Sequence, residues 1–185
     1  MRTPGSSRKF EPMRLTILLS TALLGAADFA SAQGYPASQR AVLTQNVAHT
    51  KIEISYGRPV AKGRELWGKL VPWDEAWHPG ADRGTKLTID KDITVEGQAL
   101  KAGEYSLWLI AREKSPWTLI FSRDANAWHR PYPGTAQDAL RVELPAETFS
   151  HVESLTVDFP AVLADSATMR IQWGTAGISA RIKAP

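Results

Sequence analysis

The 185-residue sequence contains no cysteine, and this absence excludes three kinds of chemistry. A chain without thiols has no disulfide framework, no thiolate metal site and no cysteine nucleophile. Common signatures are missing too: there is no G-x-S-x-G elbow, Walker loop, G-x-G-x-x-G turn, H-E-x-x-H helix or calcium-binding loop. From these absences we expect no cofactor and no metal site.

The sequence also lacks a strong charge of one sign. Its net charge is +3, and it falls to +1 when residues 1–32 are set aside. The cations are spread along the chain instead of forming a basic stripe, which argues against nucleic acid as a ligand. No segment repeats at a fixed period, so solenoids and propellers are excluded as well.

The sequence has no apolar run long enough for a membrane span, and its longest apolar run is typical of a secretory signal. Residues 13–32 combine a basic start at Arg14, an apolar run from 15 to 27 and an A-x-A cleavage site at 30–32. The run is shorter than the roughly 20 apolar residues of a membrane span. We therefore expect cleavage near Ala32 and no membrane span in the mature form.

Cleavage there leaves a mature chain of 153 residues starting at Gln33, a length that suits one domain over 33–185. The mature protein is expected in the periplasm or the medium. Residues 1–12 carry no core-forming pattern, and Met13 is the better initiator. We therefore interpret 1–12 as a candidate upstream extension; the sequence leaves the oligomeric state open.

Beyond residue 40 the chain consists of short alternating runs separated by turn residues, a pattern typical of strands. No helical segment is long enough for a parallel crossover. The predicted fold is all-β, an antiparallel, jelly-roll-like β-sandwich of about ten strands. The predicted strands are 42–47, 49–56, 85–90, 93–97, 103–111, 116–122, 138–145, 152–160, 167–174 and 177–184.

Three strand pairings are predicted in more detail. Asp90 to Asp92 suggests a tight hairpin, and Gly97-Gln98 suggests a second one. The run 103–111 has large apolar residues on both faces, so we expect a central strand covered on both sides and paired with 116–122.

A long irregular loop follows the strand that ends near residue 56, and it carries most of the candidate site. The apolar spacing between Arg64 and Leu70 predicts one short helix there. Arg58 and Arg64 flank a glycine-containing turn, and a guanidinium matches a carboxylate or phosphate with two parallel hydrogen bonds. The alternative is that these arginines pin the loop by pairing with a nearby acid. The candidate acids are Glu65, Asp74, Glu75 and Asp82.

Histidine and tryptophan offer further candidates. His78 and Asp82 are four residues apart, but Pro79 and Gly80 prevent the helix that would align them, so this spacing predicts no metal site. His78 could instead form a metal site with His129 from a second loop, although loop histidines are more often solvated or cap a turn. Tryptophans in or beside loops either stack on sugars and other flat ligands or close the end of the sandwich as lids. They are Trp67, Trp73, Trp77 and Trp128.

Four runs carry a family resemblance that covers roughly Ser38 to Ile182. They are YGRPVAKGRELWGKLVPWDEAWHPGAD (56–82), ITVEGQALKAGEYSLWLI (93–110), PWTLIFSRDANAW (116–128) and DALRV (138–142). The chain resembles the bacterial family known as domain of unknown function 2911. The resemblance implies a secreted or periplasmic β-rich domain without an established reaction.

The family motif falls on a defined set of positions in this chain. They are Tyr56, Arg58, Pro59, Gly63, Arg64, Trp67, Gly68, Leu70, Pro72, Trp77, Gly80, Ala81, Gly103 and Tyr105. Two segments depart from the family pattern. His78 stands where the family usually has arginine, and Trp128 to Tyr132 replaces a W-G-x-Y-like segment. If that arginine binds an anion, His78 can replace it only when protonated.

These observations favour an exported, non-catalytic or weakly catalytic domain whose loop cleft binds a small polar or acidic ligand, such as a carbohydrate. The candidate binding residues are Arg58, Arg64, Trp67, Trp77, His78, Asp82, Trp128 and His129. One rival hypothesis is a hydrolase that uses His78 with Asp82 or Glu65 in acid–base roles. Another is a structural or interaction protein of the cell envelope.

Overall fold

The structure is a computed structural model that describes Met1, residues 37–114 and residues 116–185. The contacts divide the chain into two units, Met1–Gly34 and Tyr35–Pro185, and every described strand belongs to the second unit. The predicted signal sequence at 13–32 and the predicted upstream extension lie outside the described residues, apart from Met1.

The described residues form two antiparallel sheets, which confirms the all-β prediction. The first sheet has the order β1-β2-β4-β7-β8-β9, with β3 paired to β7; the second has the order β10-β11-β5-β6. The strands of the first are β1 (Gln39–Val47), β2 (Thr50–Arg58), β3 (Ala76–Trp77), β4 (Lys86–Ile89), β7 (Gly103–Ile110), β8 (Trp117–Ser122) and β9 (Asp138–Leu144). Those of the second are β5 (Ile93–Val95), β6 (Gln98–Leu100), β10 (Glu147–Val162) and β11 (Ser166–Lys183).

One apolar core holds residues from both sheets. Ile54 and Leu107 of the first sheet and Ile171 of the second are fully or almost fully buried in it. Tyr56 adds a polar link between the sheets, because its hydroxyl accepts a hydrogen bond from the Val157 amide at 3.1 Å. Burial of alternate residues in strands such as β2 produces the period-2 pattern visible in the sequence.

The central strand β7 is covered on both faces, as predicted. Leu107 and Leu109 face the core, while Trp108 points the other way and is also fully buried. Trp108 lies under the rings of His78 and Tyr132, at centroid distances of 6.0 and 5.3 Å. The outer face of the first sheet is therefore covered by the same loops that carry the candidate site.

The predicted short helix between Arg64 and Leu70 is wrong. That segment consists of turns, with an isolated bridge between Trp67 and Val71. Gly68 has a φ of 81°, and a Cβ there would lie 2.4 Å from the Trp73 indole nitrogen. The left-handed glycine therefore reverses the chain where a helix would continue. Among the described residues the one helical turn is a 3₁₀ turn at Thr135–Gln137.

The strand connections correct two further details. Residues 90–92 do not close a hairpin, because β4 belongs to the first sheet and β5 to the second. The predicted strands 167–174 and 177–184 are one strand, β11, which continues through Gly174 at a φ of 61°. The hairpin at Gly97 and the pairing of β7 with β8 are confirmed.

Five of the nine strand pairings join strands that are consecutive in the chain, and the other four join strands that are not. No helix in the described part of the chain has the length and apolarity needed to cross a membrane.

Candidate functional site

A cleft opens where two loop segments held by different sheets face each other. The segment 59–64 is tied to the second sheet, because the Ala61 amide donates to the Glu153 carbonyl and the Leu155 amide donates to the Pro59 carbonyl. The segment 77–82 is tied to the first sheet, where Trp77 pairs with Leu109 of β7. The spacing between the two sheets therefore sets the width of the cleft.

The second segment stays in place through close backbone packing. The Thr85 hydroxyl donates to the Pro79 carbonyl at 2.8 Å, and the Leu107 amide donates to the Thr85 carbonyl. At Gly57 the backbone of β2 lies so close to this loop that a Cβ would be 2.3 Å from the Ala81 carbonyl oxygen. Glycine is needed at position 57 for this approach.

The floor of the cleft is aromatic. Trp77 lies parallel to Trp173 of β11, with centroids 6.1 Å apart and planes 10° apart. Trp67 meets the edge of Trp77 at 5.9 Å, and its indole N–H donates to the Trp173 carbonyl. Trp67, Trp73 and Trp77 pack against the core. This packing favours the lid role for these three tryptophans, and Trp77 also lines the cleft.

The cleft has a volume of about 590 Å³ and brings together five of the eight predicted site residues. They are Arg64, Trp77, His78, Asp82 and His129. Lys62, Arg130 and Trp173 also line the cleft and were not predicted from the sequence. Lys62 and Arg130 each lie within two residues of a predicted site residue. This proximity is the only feature of the sequence that points to them as cleft residues.

Three predicted residues lie elsewhere. Arg58 turns to β10, where its guanidinium donates to the Leu155 carbonyl at 3.2 Å and to the Thr156 hydroxyl at 3.4 Å. Trp67 lines a separate depression next to Gly174, and Trp128 lines a groove beside Arg83. Glu65, proposed as a partner of His78, is exposed and does not line the cleft.

The cleft has an excess of positive charge. Lys62, Arg64 and Arg130 face one carboxylate, Asp82. Arg64 does not pair with any of the acids considered from sequence; its guanidinium donates to the Ala61 and Val60 carbonyls at 2.9 and 2.6 Å. Carbonyl groups do not cancel its charge, although the carboxylate of Glu153 on β10, which does not line the cleft, also acts on it electrostatically. The N–H groups of Arg64 that do not bind these carbonyls remain for an anion.

His78 is the most buried polar residue of the cleft, with 2 % of its surface exposed. Burial lowers the pKa of its imidazole to about 4, with smaller contributions from the charges of His129, Arg40 and Arg130. His78 is therefore neutral at pH 7. It does not supply the positive charge of the arginine that the family usually has at this position.

The arrangement around His78 lacks the partners that hydrolysis or metal binding would use. Its Nδ1 atom is buried without a hydrogen-bond partner, so no described carboxylate orients the ring as a general base requires. The rings of His78 and His129 are 5.7 Å apart, but no group of three or more metal-ligating side chains forms in the described residues.

Comparison with known proteins gives one family match. The profile of the family described as "Protein of unknown function (DUF2911)" matches residues 38–182, most of the chain, and confirms the resemblance seen in the motifs. Neither a curated protein nor a solved structure matches the sequence.

Proposed function

The chain belongs to the DUF2911 family of unknown function, and from this premise we propose that it is an exported, non-catalytic binding protein whose cleft takes a small acidic ligand. The observation that carries the proposal is the charge of the cleft, three cations against one carboxylate. A carboxylate or phosphate ligand would supply the missing negative charge. The parallel tryptophans of the floor would support an apolar ring face of the ligand, as in carbohydrate recognition.

The size of the cleft agrees with a small ligand. A volume of about 590 Å³ lies within the range of roughly 300–1,000 Å³ that is typical of small-molecule sites. The cations Lys62, Arg64 and Arg130 are exposed, and Trp77 and Trp173 supply aromatic surface. Charged groups that give specificity and rings that give contact area are the usual parts of such a site. A single sugar acid or a short carboxylic acid fits this description.

The hydrolase hypothesis has less support than binding. Glu65 does not line the cleft, and Asp82 lines it with His78 but leaves the buried Nδ1 of His78 without a hydrogen-bond partner. The envelope hypothesis retains one supporting feature, an exposed apolar run at 160–164 where β10 turns into β11. That run is five residues at one hairpin, and the hypothesis stays a prediction.

Arg64 and Arg58 provide a matched test of binding. We expect Arg64→Gln to raise the Kd for galacturonate about tenfold or more, because a charge-assisted hydrogen bond contributes roughly 1.5–3 kcal/mol. Arg58→Gln should leave the Kd unchanged, since Arg58 is held on β10 outside the cleft. Calorimetry with galacturonate, citrate and neutral galactose is the measurement. Equal effects of the two variants, or equal binding of galactose, would contradict the proposal.

Export is supported by the three-part signal pattern at residues 13–32. We expect the protein recovered from the periplasm or medium to begin at Gln33. N-terminal sequencing of that material is the measurement, and a recovered chain that still carries residues 13–32 would rule out cleavage at this site.

A further inference from the structure

A single backbone bridge lies between the cleft and a second groove. Arg83 and Trp128 form this isolated antiparallel bridge. Their chain neighbours Asp82 and His129 line the cleft, whereas Arg83 and Trp128 line a groove of about 490 Å³. The cleft and the groove therefore adjoin at the two segments that the bridge joins.

The groove carries positive charge that the protein does not neutralise. Lys86 pairs with Glu104 at 2.8 Å, and the Arg40 guanidinium donates to Ser55 and to the Arg83 and Gly84 carbonyls. Arg83 is exposed, and its guanidinium has no hydrogen-bond or ion-pair partner in residues 37–114 and 116–185. Burial and then the charge of Arg83 lower the pKa of Arg40, and the smaller effect of Asp82 does not offset them. The two guanidinium groups therefore repel each other.

Trp128 adds a flat apolar face beside this charge. It is 54 % exposed, whereas Trp108, Trp117 and Trp173 are at most 2 % exposed. Its backbone is held by the bridge to Arg83, and its ring lies 6.1 Å from the ring of His129. An exposed indole next to an unpaired guanidinium matches a sugar ring that carries a carboxylate.

The cleft and the groove adjoin at the bridge between Arg83 and Trp128. The charge of Arg40, which lines the groove, also acts on His78 in the cleft. The ring of His129, which lines the cleft, contacts the ring of Trp128, which lines the groove. A ligand that extends from the cleft across this bridge into the groove would meet cations and aromatic rings in both.

We propose that the groove of Arg83 and Trp128 is a second subsite, and that the ligand of this surface is an acidic oligosaccharide that occupies the cleft and the groove together. This inference rests on the proposed function, because it assigns the cleft to one acidic residue of the same chain. A polymer of uronic acids has the required chemistry, a carboxylate on each ring and an apolar face for stacking. A nucleic acid fits less well, since the cations form two small groups instead of a continuous stripe.

The length dependence of binding tests the proposal. We expect hexagalacturonate to bind about a hundredfold more tightly than galacturonic acid, because linked groups bind their second subsite at a high effective concentration. Trp128→Ala and Arg83→Gln should each remove most of that gain and leave the affinity for galacturonic acid unchanged. Calorimetry at constant ionic strength measures both constants, and thermal melting verifies that the variants are folded.

Controls separate this proposal from simple charge attraction and from the proposed function. Arg181→Gln removes an exposed cation on β11 that lines neither the cleft, the groove nor the depression next to Gly174. This variant should not change the gain in affinity for hexagalacturonate. Cellohexaose has the sugar rings without the charge, and polyphosphate has the charge without the rings. Neither should reproduce the gain in affinity that hexagalacturonate shows over galacturonic acid. If galacturonic acid binds and the hexamer binds no more tightly, the second subsite is wrong and the proposed function stands. If neither binds, both fail for this ligand class.

Discussion

Trp77→Ala is expected to lower the free energy of unfolding by about 3 kcal/mol. This value is at the lower end of the range for replacing a buried tryptophan by alanine, because Trp77 is half-buried. Trp77 belongs to β3 of the first sheet, yet its ring lies on Trp173 of the second sheet and against the edge of Trp67. Removing the indole opens a gap between the sheets at the floor of the cleft. Urea unfolding at pH 7 measures the change.

Trp128→Ala is the matched control for Trp77→Ala. Its ring is 54 % exposed, and exposed substitutions usually change stability by no more than about 0.5 kcal/mol. A Trp77→Ala protein as stable as the parent would show that the aromatic floor serves the ligand alone. A Trp128→Ala protein as unstable as Trp77→Ala would show that Trp128 is a lid as well.

The strands could be predicted because their burial follows the sequence at short range. All six residues of β8 and five consecutive residues of β7 are buried, and in β2 buried and less buried residues alternate, so composition and period indicate each strand. The prediction of a hairpin at 90–92 is wrong because strand order across the two sheets depends on long-range contacts. The turn residues there suit a reversal within one sheet, but the chain leaves β4 and joins β11 in the other sheet, a long-range choice that no local pattern encodes.

The candidate site shows the same division between local and long-range information. Arg58 and Arg64 look alike in sequence, six residues apart, each near a turn glycine. The pairing of residue 60 with Ser154 separates them, because it turns Arg58 toward β10 and leaves Arg64 at the cleft. Arg130 arrives from a loop beyond β8, so its presence in the cleft depends on tertiary structure alone.

His78 also illustrates what sequence cannot supply. Its neighbours Pro79 and Gly80 indicate a loop, and loop histidines are commonly solvated. The structure instead buries the ring between Trp108 and the loop backbone, where a Cβ at Gly80 would lie 3.1 Å from Nδ1. Burial of this extent comes from the covering of the outer sheet face, and it changes the protonation of the residue.

The pH dependence of stability is the second large effect that we expect, and it results from this burial. The pKa of His78 is about 4 in the folded protein, against an ordinary value of 6.5 in the unfolded chain. Between these pH values the unfolded chain binds a proton that the folded protein does not bind, so stability falls as the pH is lowered. The loss approaches about 3 kcal/mol below pH 4, and it is absent above pH 6.5.

His78→Phe isolates this contribution from that of carboxylates such as Asp92 and Glu153, whose pKa values are lowered by hydrogen bonds and which also lose stabilisation in acid. Phenylalanine fills a similar volume and carries no proton, so the variant should lose about 3 kcal/mol less than the parent between pH 7 and pH 4. His49→Phe, at an exposed turn between β1 and β2, should behave as the parent does. Urea unfolding across this pH range measures the difference. If the free energy of unfolding has the same pH dependence in the parent and in His78→Phe, His78 is protonated in the folded protein with the help of a partner or ligand.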